Sequence, residues 1–168
     1  MTTDFTLPAN AHWAMHDGHA YWQRARPDPG LLPGRRHIDP MEMPRLLPYA
    51  WLLEVHPPAD GIAIPRFRFR LVGSHVDTGF GGPKTGRWLH EMEPDFNSNA
   101  AMQAGFVAVA TEGHVSHRRG KPRFAMNAEA AELERLMLPL AGNGRDVDML
   151  LGFTVFYGGD GNELRTTL

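Results

Sequence analysis

Apolar and polar residues alternate most regularly over Arg66–Val72 (RFRFRLV), with Phe67, Phe69 and Leu71 on one side and Arg66, Arg68 and Arg70 on the other. A period of two predicts a strand with one buried face and one basic face. Tyr49–His56 (YAWLLEVH) predicts a second strand, and the turn signal PPADG between the two makes them an antiparallel pair. In Val147–Tyr157 (VDMLLGFTVFY) both parities are apolar: Val147, Met149, Leu151, Phe153, Val155 and Tyr157 on one, Leu150 and Phe156 on the other. That pattern predicts a strand buried on both faces, at the centre of a sheet. Val115–Arg119 and Glu132–Leu140 supply two further strands, although no pattern marks where the fourth begins between Lys121 and Ala131.

Helical spacing appears in two places. Ala11–Ala25 places Trp13, Tyr21, Trp22 and Ala25 near one side of a helix, with Asn10 as its cap, Pro27 beyond its end and Gly18 as its weak point. Asp95 predicts the cap of a longer helix running through Glu112 and closed by Gly113, with Met102, Phe106, Val109 and Ala110 at helical spacing. Between these, Arg26–Gly34 reads as a loop, Asp39–Pro40 starts a helix that Pro44 keeps short, and the five glycines of Gly73–Met92 predict an irregular cap of one-turn helices. The order is helix, two strands, a helical middle and three strands, an α+β arrangement. The expected partition is an N-terminal helix and linker over 1–36, one folded domain over 37–158 and a flexible tail over 159–168.

Composition narrows the function classes. A chain of 168 residues, 42% hydrophobic and 21% charged, has the make-up of one soluble domain. It contains no cysteine, which excludes disulfides, thiolate nucleophiles, cysteine-ligated clusters and cysteinyl photoadducts. A formal net charge of −2 lacks the basic excess of a nucleic-acid binder. No apolar run approaches the ~20 residues of a membrane span, and the first residues lack a signal-peptide pattern, so the expected location is the cytoplasm.

Three ordered blocks carry a family resemblance: LPGRRHIDPMEMPRLLPYAWLLEV (Leu32–Val55), RFRFRLVGSHVDTGFGGPKTGRWLHEM (Arg66–Met92) and ERLMLPLAGNGRDVDMLLGFTVF (Glu134–Phe156). Together with the element order they resemble a PAS domain, of a bacterial single-domain family best known in alphaproteobacteria. The resemblance implies a five-stranded antiparallel sheet with helices on one face plus the N-terminal helix, a sensory or regulatory role and a homodimer. It names no ligand. Haem-binding members generally take a histidine from the long helix; Asp95–Glu112 has none, so haem is disfavoured, and the absent cysteine excludes the flavin photochemistry of the superfamily.

The expected small-molecule site lies between the inner sheet face and the long helix. Its candidate lining is Phe69, Leu71, Trp88, Met102, Phe106, Val109, Met149 and Phe153, with Gln103 and Ser116 as orienting polar groups. His12, His16 and His19 form the one candidate metal trio, on a helical face that reads more simply as exposed. Ser74-His75-Val76-Asp77 lacks the spacing of a hydrolase triad, and no paired carboxylates suggest acid/base catalysis, so no enzyme activity is expected. The Arg66, Arg68 and Arg70 row is expected to be solvated, covered or paired with Glu54, and Trp13, Tyr21 and Trp22 are the expected self-association face. The chain thus supports two readings, a sensor that binds a small molecule and signals in trans to a protein partner, or a ligand-free adaptor with a filled core, with a small-molecule enzyme on an α+β scaffold ranked last.

Overall fold

The computed structural model describes residues 5–124 and 126–165. Five strands, β1 (Ala50–His56), β2 (Arg66–Val72), β3 (Ser116–Gly120), β4 (Glu132–Leu140) and β5 (Met149–Tyr157), form one antiparallel sheet in the order β2-β1-β5-β4-β3. The strand with apolar residues on both parities is the central one, as its pattern requires. On one face, Leu151, Phe153, Val155 and Tyr157 of β5 join Leu136, Leu138 and Leu140 of β4 and Ala50 and Leu52 of β1 beneath α1 (Trp13–Ala25). On the other, Leu150, Met137, Trp51, Leu53, Phe67 and Phe69 pack under α2 (Ser74–Gly79), α3 (Leu89–Met92) and α4 (Ala100–Glu112). Burying both faces at about 25 cal/mol per Å² of apolar surface is the main term holding the layers together.

The two long helices, α1 and α4, each start where a side chain accepts their free amides. For α1 that residue is His12, whose Nδ1 accepts from the Ala14 amide at 3.1 Å; Asn10 is consumed in a turn in which the Ala11 amide bonds Pro8 O. For α4 it is Asn99, whose Oδ1 accepts from Ala101 and Met102 at 3.1 Å. Asp95 precedes a separate turn, Phe96–Ser98, because the extended backbone of Asn99 (φ −109°, ψ 101°) interrupts the helical run. Gly113 closes α4 in the left-handed region at φ 69°. Gly18 is a point of contact rather than weakness: a Cβ there would lie 2.6 Å from the Phe153 ring, so the glycine brings α1 down onto β5.

Two expectations change at the edges. Opposite β1, Leu52 pairs with Leu71 but Leu53 pairs with Phe69, which leaves Arg70 without a partner in a bulge. The extra residue inverts the parity of β2 beyond Arg70, so Leu71 faces the α1 side, 41% exposed, while Phe67 and Phe69 face the α4 side. After β5 the chain turns over 158–162 and Leu164 donates to Phe156 O at 2.8 Å, so this part of the tail lies back against the sheet; residues 166–168 fall outside the described ones.

Candidate functional site

Strand β4 runs between two buried faces, so both of its adjacent charges, Glu134 and Arg135, must point inward, to opposite sides. Arg135 faces α4. Its guanidinium carbon sits 4.8 Å from the centre of the Phe106 ring, and its Nε is sealed from solvent with no hydrogen-bond partner. Room for it comes from α4: a Cβ on Gly105 would lie 2.7 Å from Arg135 Nη2, 3.0 Å from Met137 Cε and 3.3 Å from Ser116 Oγ. Burial, and then the like charges of Arg118 and Arg123, pull Arg135 down to about 9, which leaves it a cation at neutral pH. Those two neighbours donate to backbone carbonyls, Arg118 to Lys121 O and Arg123 to Ala101 O, so neither charge is neutralised by these bonds.

Beside Arg135 lies a small, partly open pocket of about 30 Å³, lined by Trp51, Phe69, Phe80, Leu89, Phe106, Phe124, Met126, Leu133 and Thr154. Such a volume holds about one water molecule. Phe124 belongs to the connection between β3 and β4 and meets both Phe96 and Phe106, at ring-centre distances of 6.2 and 5.8 Å. The segment that shows no pattern in the sequence therefore contributes Phe124 and Met126, the plug of the site, to this lining.

The expected lining residues divide among several places. Phe69 and Phe106 border the pocket; Val109 and Met102 pack in the same apolar layer; Ser116 Oγ, like Arg135 Nη2, approaches Gly105. Gln103 turns to the Phe96 carbonyl at 2.9 Å. Phe153 is on the opposite face, against α1, and Met149 packs with that same layer, because odd-numbered β5 residues point there. Leu71 is moved to that face by the bulge, where it lines a surface groove of about 430 Å³ with Ile38, Met43, Leu47 and Leu52. Trp88 lies outside the interior, half-exposed, with Arg66 and Arg68 over its ring at 5.2 and 5.8 Å. Arg66 and Arg68 are thus held by Trp88 and by carbonyls, while Glu54 pairs with His56 at 2.8 Å.

Glu134, pointing the other way, is fully buried and fully occupied. It accepts from His117 Nε2 at 2.7 Å, from the His12 amide at 3.1 Å and from Tyr157 OH at 3.0 Å. Burial alone would raise its carboxyl, but these donors outweigh it and hold the group below the ordinary carboxylate range. Glu163 accepts in turn from His12 Nε2 and Tyr49 OH, at 3.0 and 2.9 Å. His12 is therefore engaged at both ring nitrogens, His16 is exposed, and His19 packs between Phe5 and Trp22, so the three histidines do not converge on one point. Tyr21 and Trp22 are 4% exposed, with Trp22 Nε1 donating to Pro139 O, and Trp13 packs on Tyr49. Tyr21 and Trp22 are thus spent on the chain's own core and do not offer the exposed aromatic surface expected of α1, while Trp13 stays half-buried.

Glu134 and Arg135 carry a signal in the sequence itself. Two charges side by side in ELERLMLPL, a run apolar on both parities, have no solvent face to occupy. Among the described residues no helix is long and apolar enough to cross a membrane. No curated protein matches the chain, and no solved structure does either. A family model described as PAS domain matches residues 11–155. With the antiparallel β2-β1-β5-β4-β3 sheet, the long α4 across one face and the match over most of its length, the chain belongs to the PAS domain family.

Proposed function

We propose that this protein is a sensory PAS module that takes a small molecule between the sheet and α4 and passes its state on by contact with another protein. The observation that carries the reading is the small aromatic-lined pocket between sheet and α4, to whose lining an irregular connection contributes the side chains of Phe124 and Met126. A ligand that takes the place of those side chains binds the open arrangement and not the closed one, and that difference in affinity is what moves a population. No acid/base or nucleophilic constellation accompanies the cavity among the described residues, so the role proposed is regulatory. Mass spectrometry of the material released by denaturing freshly purified protein tests it: a bound small molecule supports the sensor, and clean protein that gains none from a cell extract counts against it.

A second reading, a ligand-free adaptor, draws support from the cavity's small size and from the groove of about 430 Å³ on the other face, beside the exposed side chains of Leu71 and Met41. Partner capture that survives substitution of the cavity residues but fails with Leu71→Asp would favour the adaptor.

A further inference from the structure

A guanidinium held beneath a helix, against an aromatic ring and without an anion, is an expensive arrangement for a fold to keep. Arg135 is half-buried, but its Nε is sealed from solvent; a cation–π contact does not replace the hydrogen bond that Nε lacks, and a charge partly withdrawn from water without an anion is destabilising unless something compensates it. Here the fold adapts to the charge rather than neutralising it. Gly105 stands in mid-helix where alanine is the better helix former, and a Cβ there would lie 2.7 Å from Arg135 Nη2. The adjacent carboxylate, Glu134, is turned to the other face and saturated. In the strand register Arg135 lies between Arg118 of β3 and Thr154 of β5, so the lane across the sheet offers it a second cation and a hydroxyl. Arg123 adds a third guanidinium nearby. Among the described residues none of the three is in an ion pair.

We propose that the interior site binds an apolar monocarboxylate, its carboxylate on the Arg135 guanidinium and its hydrocarbon body in the place that Phe124 and Met126 now fill. This inference rests on the reading of that site as the sensory one. The charge of the ligand is set by the unpaired guanidinium, whose planar fork matches a carboxylate. Its single charge and apolar body are set by the walls: Trp51, Phe69, Phe80, Leu89 and Leu133 offer nothing to a second anionic oxygen cluster, so a phosphate dianion would lose its hydration against one fork. Its size is set by the plug, since the cavity of about 30 Å³ admits only the ligand's smallest part until Phe124 leaves.

The test compares phenylacetate, whose ring matches the benzyl group of Phe124, with its neutral isostere phenylacetamide, by equilibrium dialysis on the full chain. Amide NMR shifts at Gly105 and Thr154 serve to locate the bound compound. Phenylacetate is expected to bind the wild type about tenfold or more tightly than phenylacetamide, as a charge-assisted pair requires. That preference is lost in Arg135→Met, and both compounds bind more tightly to Phe124→Ala, in which the plug is gone. Equal binding of the two compounds overturns the carboxylate assignment and leaves the sensory site standing. No binding of either compound, to the wild type or to Phe124→Ala, overturns both. Should Arg135→Met fail to fold, the selectivity of Phe124→Ala decides alone, because that variant leaves Arg135 in place.

Discussion

Glu134 and Arg135 are neighbours on one strand and face opposite sides of one sheet, yet the two sides treat their charge differently. Under α1 the carboxylate has three donors within 3.1 Å, one of them the amide at the start of the helix, so the charge also pins α1 to the sheet. Under α4 the guanidinium has an aromatic ring and no hydrogen bond at Nε. A satisfied buried charge is part of the architecture, whereas an unsatisfied one is a cost that the rest of the fold carries for some other purpose. The two faces thus separate into one that fastens and one that is built around a vacancy in its hydrogen bonding.

The difference between the faces is most exposed to test at Glu134. Glu134→Ala strips the acceptor from His117, Tyr157 and the His12 amide together, and breaking a buried network of this kind costs about 3–5 kcal/mol. Urea unfolding monitored by circular dichroism measures it; a loss below about 1 kcal/mol would mean that water replaces these bonds freely and that the α1 face is no better fastened than the other. Next in size is Gly18→Ala. The added Cβ would stand 2.6 Å from the Phe153 ring. Overpacking costs about 1–3 kcal/mol and alanine returns about 1 kcal/mol of helix propensity, so a net loss of about 1–2 kcal/mol is expected by the same measurement. A gain in stability would show that α1 has slack above β5.

What can be read from the chain divides along the same line. The central position of β5, the antiparallel pairing of β1 with β2 and the closure of α4 by Gly113 are readable because each is local: a parity, a turn, a glycine at a helix end. Leu71 is misplaced by its alternation because its row contains one residue too many, and a bulge is chosen by the partner strand rather than by the alternation itself. Met149 and Phe153 are misassigned to the α4 side because a strand apolar on both parities does not say which parity meets which helix; Gly18, the residue that fits α1 onto Phe153, reads only as a weak helix position. The plug is invisible in the sequence, since Phe124 and Met126 lie in a segment without periodicity whose place is set by the aromatic rings it covers.

Acid sharpens the contrast by a smaller amount. Glu134 and Glu163 are both held below the ordinary carboxylate range by their donors, against the opposing pull of burial. A group with a lowered folded pKa contributes stability that is present above its unfolded value, near 4.5, and is lost as pH falls through the folded value. Unfolding free energy should therefore decline below about pH 4.5, and the decline should be shallower in Glu134→Gln, which no longer titrates there. An equal slope in the variant would assign the acid sensitivity to other carboxylates.

The smallest effect on stability is expected at Arg135, and its smallness is what gives the contrast its force. Replacing a half-buried charge that has no ion-pair partner by an apolar side chain of similar length removes a desolvation cost and little else, so Arg135→Met should unfold within about 1 kcal/mol of the wild type or above it. Its long apolar stem keeps Phe106 and Met137 covered, and Gly105 leaves the space for it. Two adjacent residues would then differ by several kcal/mol for opposite reasons, one charge holding the fold and the other kept in spite of it. If Arg135→Met instead loses as much stability as Glu134→Ala, the guanidinium is itself a fastener through its aromatic contact, and the asymmetry between the two faces of the sheet disappears.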